Sequence, residues 1–220
     1  MTMQPPIDYA RLAKLAEEFT THWERLQALY LDCVVGFHYI IDHLRAEQMK
    51  AGNFVAGNEL DSEEFQDTRM FDYEDILPDD FCTSGIHRAT QGEVKSRNKE
   101  GGMNYSTLGQ LCIVSFYDFW EGYLRTEYVK AKGLYDPSKH RECLRDHASN
   151  DLWGDMRYLR EAIVHHQGIA TGQIAKAKVI KCFKPGDKIE ISPYLMRAIF
   201  LALLTFRNEL FHEQLPPFIL

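Results

Sequence analysis

DLWGDMRYLREAIVHHQG, residues 151–168, is the stretch on which the reading of this chain turns. At about 100° per residue, Leu152, Met156, Leu159 and Ile163 fall on one stripe, the core face of a helix. Trp153 and Val164 widen that stripe. Glu161, Arg157, Tyr158 and His165 fall on the polar side, with His166 following. Arg160 is out of place, because it lies between Met156 and Val164, inside the apolar margin. A guanidinium there must snorkel, pair with a carboxylate or meet a partner surface, since burying it bare is costly. His165 is of a type that titrates near neutral pH and suits proton transfer. Five residues at about 100° each put Arg160 and His165 about 140° apart. One helix is therefore not expected to bring them side by side. Either the helix ends near His165, with Gly168 as terminator, or a second copy of the chain completes the site.

Outward from this stretch, the pattern predicts an all-α fold of about four to six helices. Residues 1–49 carry the first helical region. Asp8 is its expected N-cap after Pro5 and Pro6, and Leu12, Leu15, Phe19, Trp23, Leu26 and Tyr30 recur at three and four. Gly36 marks a possible kink or break. His22, His38 and His43 lack the i, i+4 pairing of a metal site and read as capped or surface histidines. Residues 50–103 read as an irregular excursion, with a short helix near 61–67. Its acids, Glu59, Asp61, Glu63, Glu64, Asp72, Glu74, Asp75, Asp79 and Asp80, read as solvated loop charge. Lys95, Arg97 and Lys99 form a weak basic cluster that could touch a phosphate backbone.

Residues 104–213 hold the main core. A helix over 104–132 is capped by Asn104 or Ser106 and ended by Gly133. It is apolar almost all round, except for a narrow line of Ser115, Asp118, Glu121 or Gly122, and Arg125. Buried polar groups need partners, so Asp118 or Glu121 is the expected carboxylate for Arg160. Such a pair could equally do no more than hold two helices together. A short helix is expected across His140 to His147. Residues 173–180 suggest a short helix or a helix-to-strand transition. Cys182 to Ile191 reads as a small β-ribbon around a Pro185-Gly186-Asp187 turn. The last helix, 193–213, has Ser192 as cap and Pro193 at its first position. Its end, Arg207-Asn208-Glu209-Leu210-Phe211-His212, repeats the arginine-to-histidine spacing.

The whole is expected to be one α-helical domain of 220 residues, 45% of them hydrophobic. A net charge of −7 argues against a constitutive nucleic-acid coat, whose footprint would be basic. Cys33, Cys82, Cys112, Cys143 and Cys182 are odd in number and show no CxxC spacing, as expected of reduced thiols in a cytoplasmic protein. No signal core or membrane span is expected. No glycine-rich phosphate loop, HExxH, nucleophile elbow or EF-hand sequence is present, and no metal or other cofactor is called for.

The phrase Leu159-Arg160-Glu161-Ala162-Ile163-Val164-His165-His166-Gln167-Gly168 resembles the signature of the HEPN superfamily, named for higher eukaryotes and prokaryotes nucleotide-binding. Its pattern is an arginine, a polar residue, a few apolar residues and a histidine. The resemblance extends over roughly residues 105–212. Glu161 departs from the asparagine usual after the arginine, whereas Arg207, Asn208 and His212 keep it. Arg160 and His165 are preferred because the second copy lies at the end of the chain, with Pro216-Pro217 close behind and no glycine phrase.

The resemblance implies an all-α domain that usually dimerises, and in many members a metal-independent endoribonuclease of toxin, phage-defence or RNA-processing systems. Carried over to this chain, Arg160 and His165 would be catalytic, with Asp118, Glu121, Arg157, Glu161 and His166 in support. RNA, a second copy of the chain and an antitoxin-like protein would be the partners. The alternative the resemblance allows is an inactive module of the same family that binds a nucleotide, RNA or a partner protein. Glu161 and the acidic net charge lean that way.

Overall fold

The computed structural model of the chain describes residues 6–52, 63–71 and 88–212. The acids at 59, 61, 72, 74, 75, 79 and 80 lie outside the described residues, as does Cys82. Regular structure among the described residues is helical: α1 (Tyr9–Gly52), α2 (Glu63–Asp67), α3 (Gln91–Asn98), α4 (Met103–Phe119), α5 (Arg125–Ala131), α6 (His140–His147), α7 (Asp151–His165) and α8 (Pro193–Phe211). A single π-helical stretch, Trp120–Leu124, joins α4 to α5. No helix among the described residues is long and apolar enough to cross a membrane.

The chain forms two compact units, one of Met1–Tyr30 with Ser106–Leu220, the other of Leu31–Tyr105. In the larger unit, Leu12, Leu15 and Phe19 of α1 are buried, as are Ile113 and Phe116 of α4, Trp120 and Leu124 of the π stretch, Met156 and Leu159 of α7, and Ile199, Leu203 and Phe206 of α8. Trp120 and Trp153 stack with ring centroids 4.9 Å apart. Phe206 meets both rings edge-on, at 5.1 and 5.4 Å. Each fully buried large side chain contributes roughly 1.5–3 kcal/mol, so these aromatic contacts, not surface charge, seat α7 against α8 and the π stretch.

The smaller unit centres on Leu44, Phe71, Ala89 and Val94. Its helix α3 falls inside the stretch expected to be irregular. It forms because Thr90 and Glu93 make a reciprocal capping box, and because Val94 is buried. Lys95 is not available to a phosphate backbone: its ammonium sits 2.6 Å from Asp67 and donates to Gln48.

Local signals in the sequence are met at several helix ends. Asp8 accepts from Arg11 N, and Ser192 accepts from Leu195 N. Gly133 takes the positive φ of a helix terminator, 69°. Two expectations fail. Gly36 does not break α1, which runs through it. Neither Asn104 nor Ser106 caps α4, which begins at Met103; Asn104 donates to Asn98, and Ser106 accepts from Ile191 N.

The β-ribbon over 182–191 is not formed; residues Ile169 and Lys188 make only an isolated bridge. The reason lies in where the backbone donors and acceptors go. Ile189 N donates to Gly168 O, Ala170 N to Asp187 O, and Gly186 N to Ala170 O, so the second limb pairs with the turn after α7, and the bond from Asp187 N to Lys184 O closes only the tight turn between the limbs. Gln110 then takes Ile189 O at 2.7 Å. Residues 173–180 open with a 3₁₀ turn, Gly172–Lys176. Gly109 lets Ile191 close on α4, since a Cβ there would stand 2.3 Å from the Ile191 side chain.

Candidate functional site

α7 carries the site, and its two ends are anchored differently. Asn150 caps the N-terminus by accepting from Leu152 N at 2.8 Å. At the C-terminus, His166 N and Gly168 N both donate to Ala162 O, and Gln167 and Gly168 take φ of 55° and 77°. The chain therefore turns away immediately after His165, which is the last helical residue.

That ending brings Arg160 to His165. Arg160 Nη1 donates to His165 Nε2 at 3.0 Å. Of the two expected routes, the first is the one seen: the helix ends at His165 with Gly168 turning the chain, and the long arginine side chain swings round the open last turn. A guanidinium has only donors, so His165 Nε2 must be the acceptor and its proton sits on Nδ1. In this arrangement the lone pair of His165 Nε2 faces a permanent cation.

Asp118 is the carboxylate opposite: its Oδ1 lies 3.6 Å from Arg160 Nε, beyond a good hydrogen bond. The Arg160 side chain is 28% exposed and that of Asp118 56%. An exposed pair of that geometry contributes about 0–1 kcal/mol. It is too weak to be what holds α7 in place, which the buried rings do against α8 and the π stretch. Arg160 Nε is itself buried and has no hydrogen-bond partner among the described residues. Its donor capacity is thus incompletely used.

The other expected residues fall elsewhere. Glu121 is not the partner of Arg160. Both its oxygens accept from Arg125 Nη1, at 3.0 and 2.8 Å, across the i, i+4 spacing that the π stretch spans. Glu161 reaches His166 at 3.7 Å, and both side chains are about half exposed. Arg157 has its guanidinium 5.2 Å from the Tyr158 ring centroid. It has no ion pair among the described residues. Tyr117 reports on this charge: burial pushes its phenol up, Glu121 adds to that, and Arg157, Arg125 and Arg160 pull it back.

The second arginine–histidine copy is arranged otherwise. Arg207 is 8% exposed; its Nε donates to Thr20 and its Nη1 to Asn208, each at 3.0 Å. Burial lowers its pKa, while Glu24 acts in the opposite sense. The exposed His212 has its Nδ1 3.0 Å from Glu209 O. Arg207 lines a cavity of about 370 Å³ with Phe19, Thr20, Trp23 and Glu24.

Two features escaped the sequence reading. The first is Asp155, 2% exposed, whose carboxylate accepts from the backbone N–H groups of Lys178, Val179 and Ile180 at 2.6–3.0 Å. It binds the loop after the 3₁₀ turn to α7 and explains why residues 178–180 need no strand partner. A signal existed: Asp155 lies three residues after Leu152 and four before Leu159, inside the apolar stripe. The second is a cavity of about 270 Å³ at the start of α7, walled by Arg125, Arg145, Asn150, Trp153 and Arg157 among others. Its residues come from four helices, the π stretch and the turn before α7, and no local pattern joins them.

The histidines of α1 have local partners. His38 Nε2 lies 3.0 Å from the Tyr105 hydroxyl, and His43 stacks on Tyr39. His22 packs between Phe116 and Phe119, and burial lowers its pKa. No cluster of three metal-ligating side chains occurs among the described residues. Comparison of the chain with family models, with curated proteins and with solved structures finds no match.

Proposed function

We propose that this chain is a metal-independent endoribonuclease of HEPN-like type, acting in a toxin, phage-defence or RNA-processing system. The observation that carries the reading is the direct contact of Arg160 with His165 at an exposed helix end, beside a loosely held Asp118. In the proposed reaction an RNA 2′-hydroxyl attacks the adjacent phosphorus. A new O–P bond closes a 2′,3′-cyclic phosphate, and the bond to the 5′-oxygen of the next nucleotide breaks. His165, neutral on Nε2, accepts the 2′-hydroxyl proton as base, and a proton must return to the leaving 5′-oxygen. Arg160 shifts from the imidazole towards the phosphate and stabilises the charge that grows on its equatorial oxygens. The second catalytic proton carrier is the His165 of a second copy across a two-fold axis, which makes the active species a homodimer.

The test is cleavage of RNA by the purified protein in EDTA, with His165→Ala and Arg160→Ala alongside. Both variants should lose activity by about 10²-fold or more, and the wild type should leave a cyclic phosphate end. Cleavage that survives both substitutions excludes this site.

One observation favours the second reading, a non-catalytic module that binds a nucleotide, RNA or an antitoxin-like partner. The three carboxylates of the expected set are already engaged, Asp118 with Arg160 itself, Glu161 with His166 and Glu121 with Arg125. Under that reading the wild type binds but does not cut, and His165→Ala leaves affinity unchanged.

A further inference from the structure

We infer that the cavity at the N-terminus of α7 seats a phosphate group of the strand bound at Arg160 and His165; this rests on the nucleic-acid reading above. The cavity holds about 270 Å³, which suits a phosphate and not a whole nucleoside. Three arginines, Arg125, Arg145 and Arg157, line it against one acid, Glu121, and Arg145 Nε also donates to the exposed Asp146 at 2.8 Å. Glu121 is neutralised, with both its oxygens on Arg125. Asn150 and Ser149 place the first turn of α7 on the wall, so the positive end of a 15-residue helix faces the same space.

The second, independent observation is a pair of wall donors without acceptors. Trp153 is 4% exposed, and its indole N–H has no partner among the described residues. The same holds for Arg125 Nε, although the other nitrogens of that guanidinium are used on Glu121 and Leu144 O. Buried donors are normally satisfied, and an anion seated here would supply acceptors as the arginine shifts.

The position fits a strand. Arg157 precedes Arg160 by three residues, about 4.5 Å along the helix axis. A backbone entering the cavity can therefore run along α7 to Arg160, with Arg157 between the two. Arg157 has no ion pair among the described residues, only the Tyr158 ring beside it, and can serve as that bridge.

The experiment uses a fluorescent 2′-O-methyl hexanucleotide, which cannot be cut because its attacking hydroxyl is blocked, and inorganic phosphate as a second probe. Arg145→Ala with Arg157→Ala, both surface positions, should weaken the hexanucleotide at least tenfold and flatten the dependence of log affinity on log salt. His212→Ala, outside the proposed site, should leave that affinity unchanged. Unaltered affinity in the double arginine variant overturns the seat. Equal affinity for inorganic phosphate and the hexanucleotide overturns the assignment to a strand in favour of the free ion. Cleavage of ordinary RNA is scored separately. Arginine-dependent binding without cleavage supports the seat and removes the nuclease reading. Cleavage with arginine-independent binding does the reverse.

Discussion

The two arginine–histidine copies have the same spacing and opposite fates. Arg160 lies at the surface with its guanidinium on His165, whereas Arg207 is buried and spends its donors on Thr20 and Asn208. The asparagine that makes the second copy look better in sequence is what occupies its arginine in the structure. What separates them is the surroundings of each helix end. α7 stops at His165 because Gln167 and Gly168 turn the chain back, and Arg160 is left beside an open last turn. The end of α8 packs Phe206 and Phe211 into the core, and Arg207 goes in with them. Spacing nominates a pair, and packing decides whether its arginine can reach a ligand.

The largest test of this contrast is catalytic. His165→Ala should lower RNA cleavage by about 10²- to 10⁴-fold, while His212→Ala should change it less than twofold. Equal losses in the two variants would erase the distinction.

Asp155→Ala asks how far the buried carboxylate holds α7 and residues 178–180 together. It strips the acceptor from three backbone N–H groups, and should destabilise the fold by about 3 kcal/mol or more in urea unfolding. A cost under about 1 kcal/mol would show that water replaces the carboxylate freely.

The arginines themselves should differ in stability in the sense opposite to their activity. Arg207→Ala removes a buried, hydrogen-bonded cation and should cost about 2 kcal/mol. Arg160→Ala should cost no more than about 0.5 kcal/mol, as for an exposed pair. Arg207→Met, which fills the volume without the charge, should recover most of the loss.

The smallest effect is in pH. Half-buried His22 has its pKa lowered chiefly by burial, so the unfolded chain binds its proton first. Its contribution to stability is therefore intact at neutral pH and is lost as pH falls below about 6.5, the ordinary histidine value, towards the lowered one. The melting temperature of His22→Phe should fall less than that of the wild type between pH 7 and 5. Parallel curves would assign the acid sensitivity to other groups.

Much of the helical frame was legible before any coordinates. Of the stripe Leu152, Met156, Leu159 and Ile163, the first three are buried and Ile163 is half-buried, and Ser192 with Pro193 starts α8, because amphipathic spacing and caps act within a few residues. The exposed Val164, at 46%, shows the limit: periodicity defines a face but not how far its cover extends. The ribbon over 182–191 failed for the same reason. Its apolar limbs looked self-sufficient, but their hydrogen bonds are taken by Gly168, Ala170 and Gln110. Asp118 and Glu121 are alternatives in sequence as the carboxylate for Arg160; in the structure Glu121 goes to Arg125 and Asp118 lies beside Arg160.

By itself the sequence determined an all-α chain, the helices that build its larger core, and a short roster of charged residues around one arginine and one histidine. These follow from interactions between residues three or four apart, which the chain order encodes directly. Tertiary structure alone decided which arginine is buried, that Arg160 touches His165, that Asp155 holds residues 178–180, and that three distant arginines share one cavity. Those outcomes depend on groups far apart in the chain competing for the same space, donors and acceptors, and no local pattern contains the result of that competition.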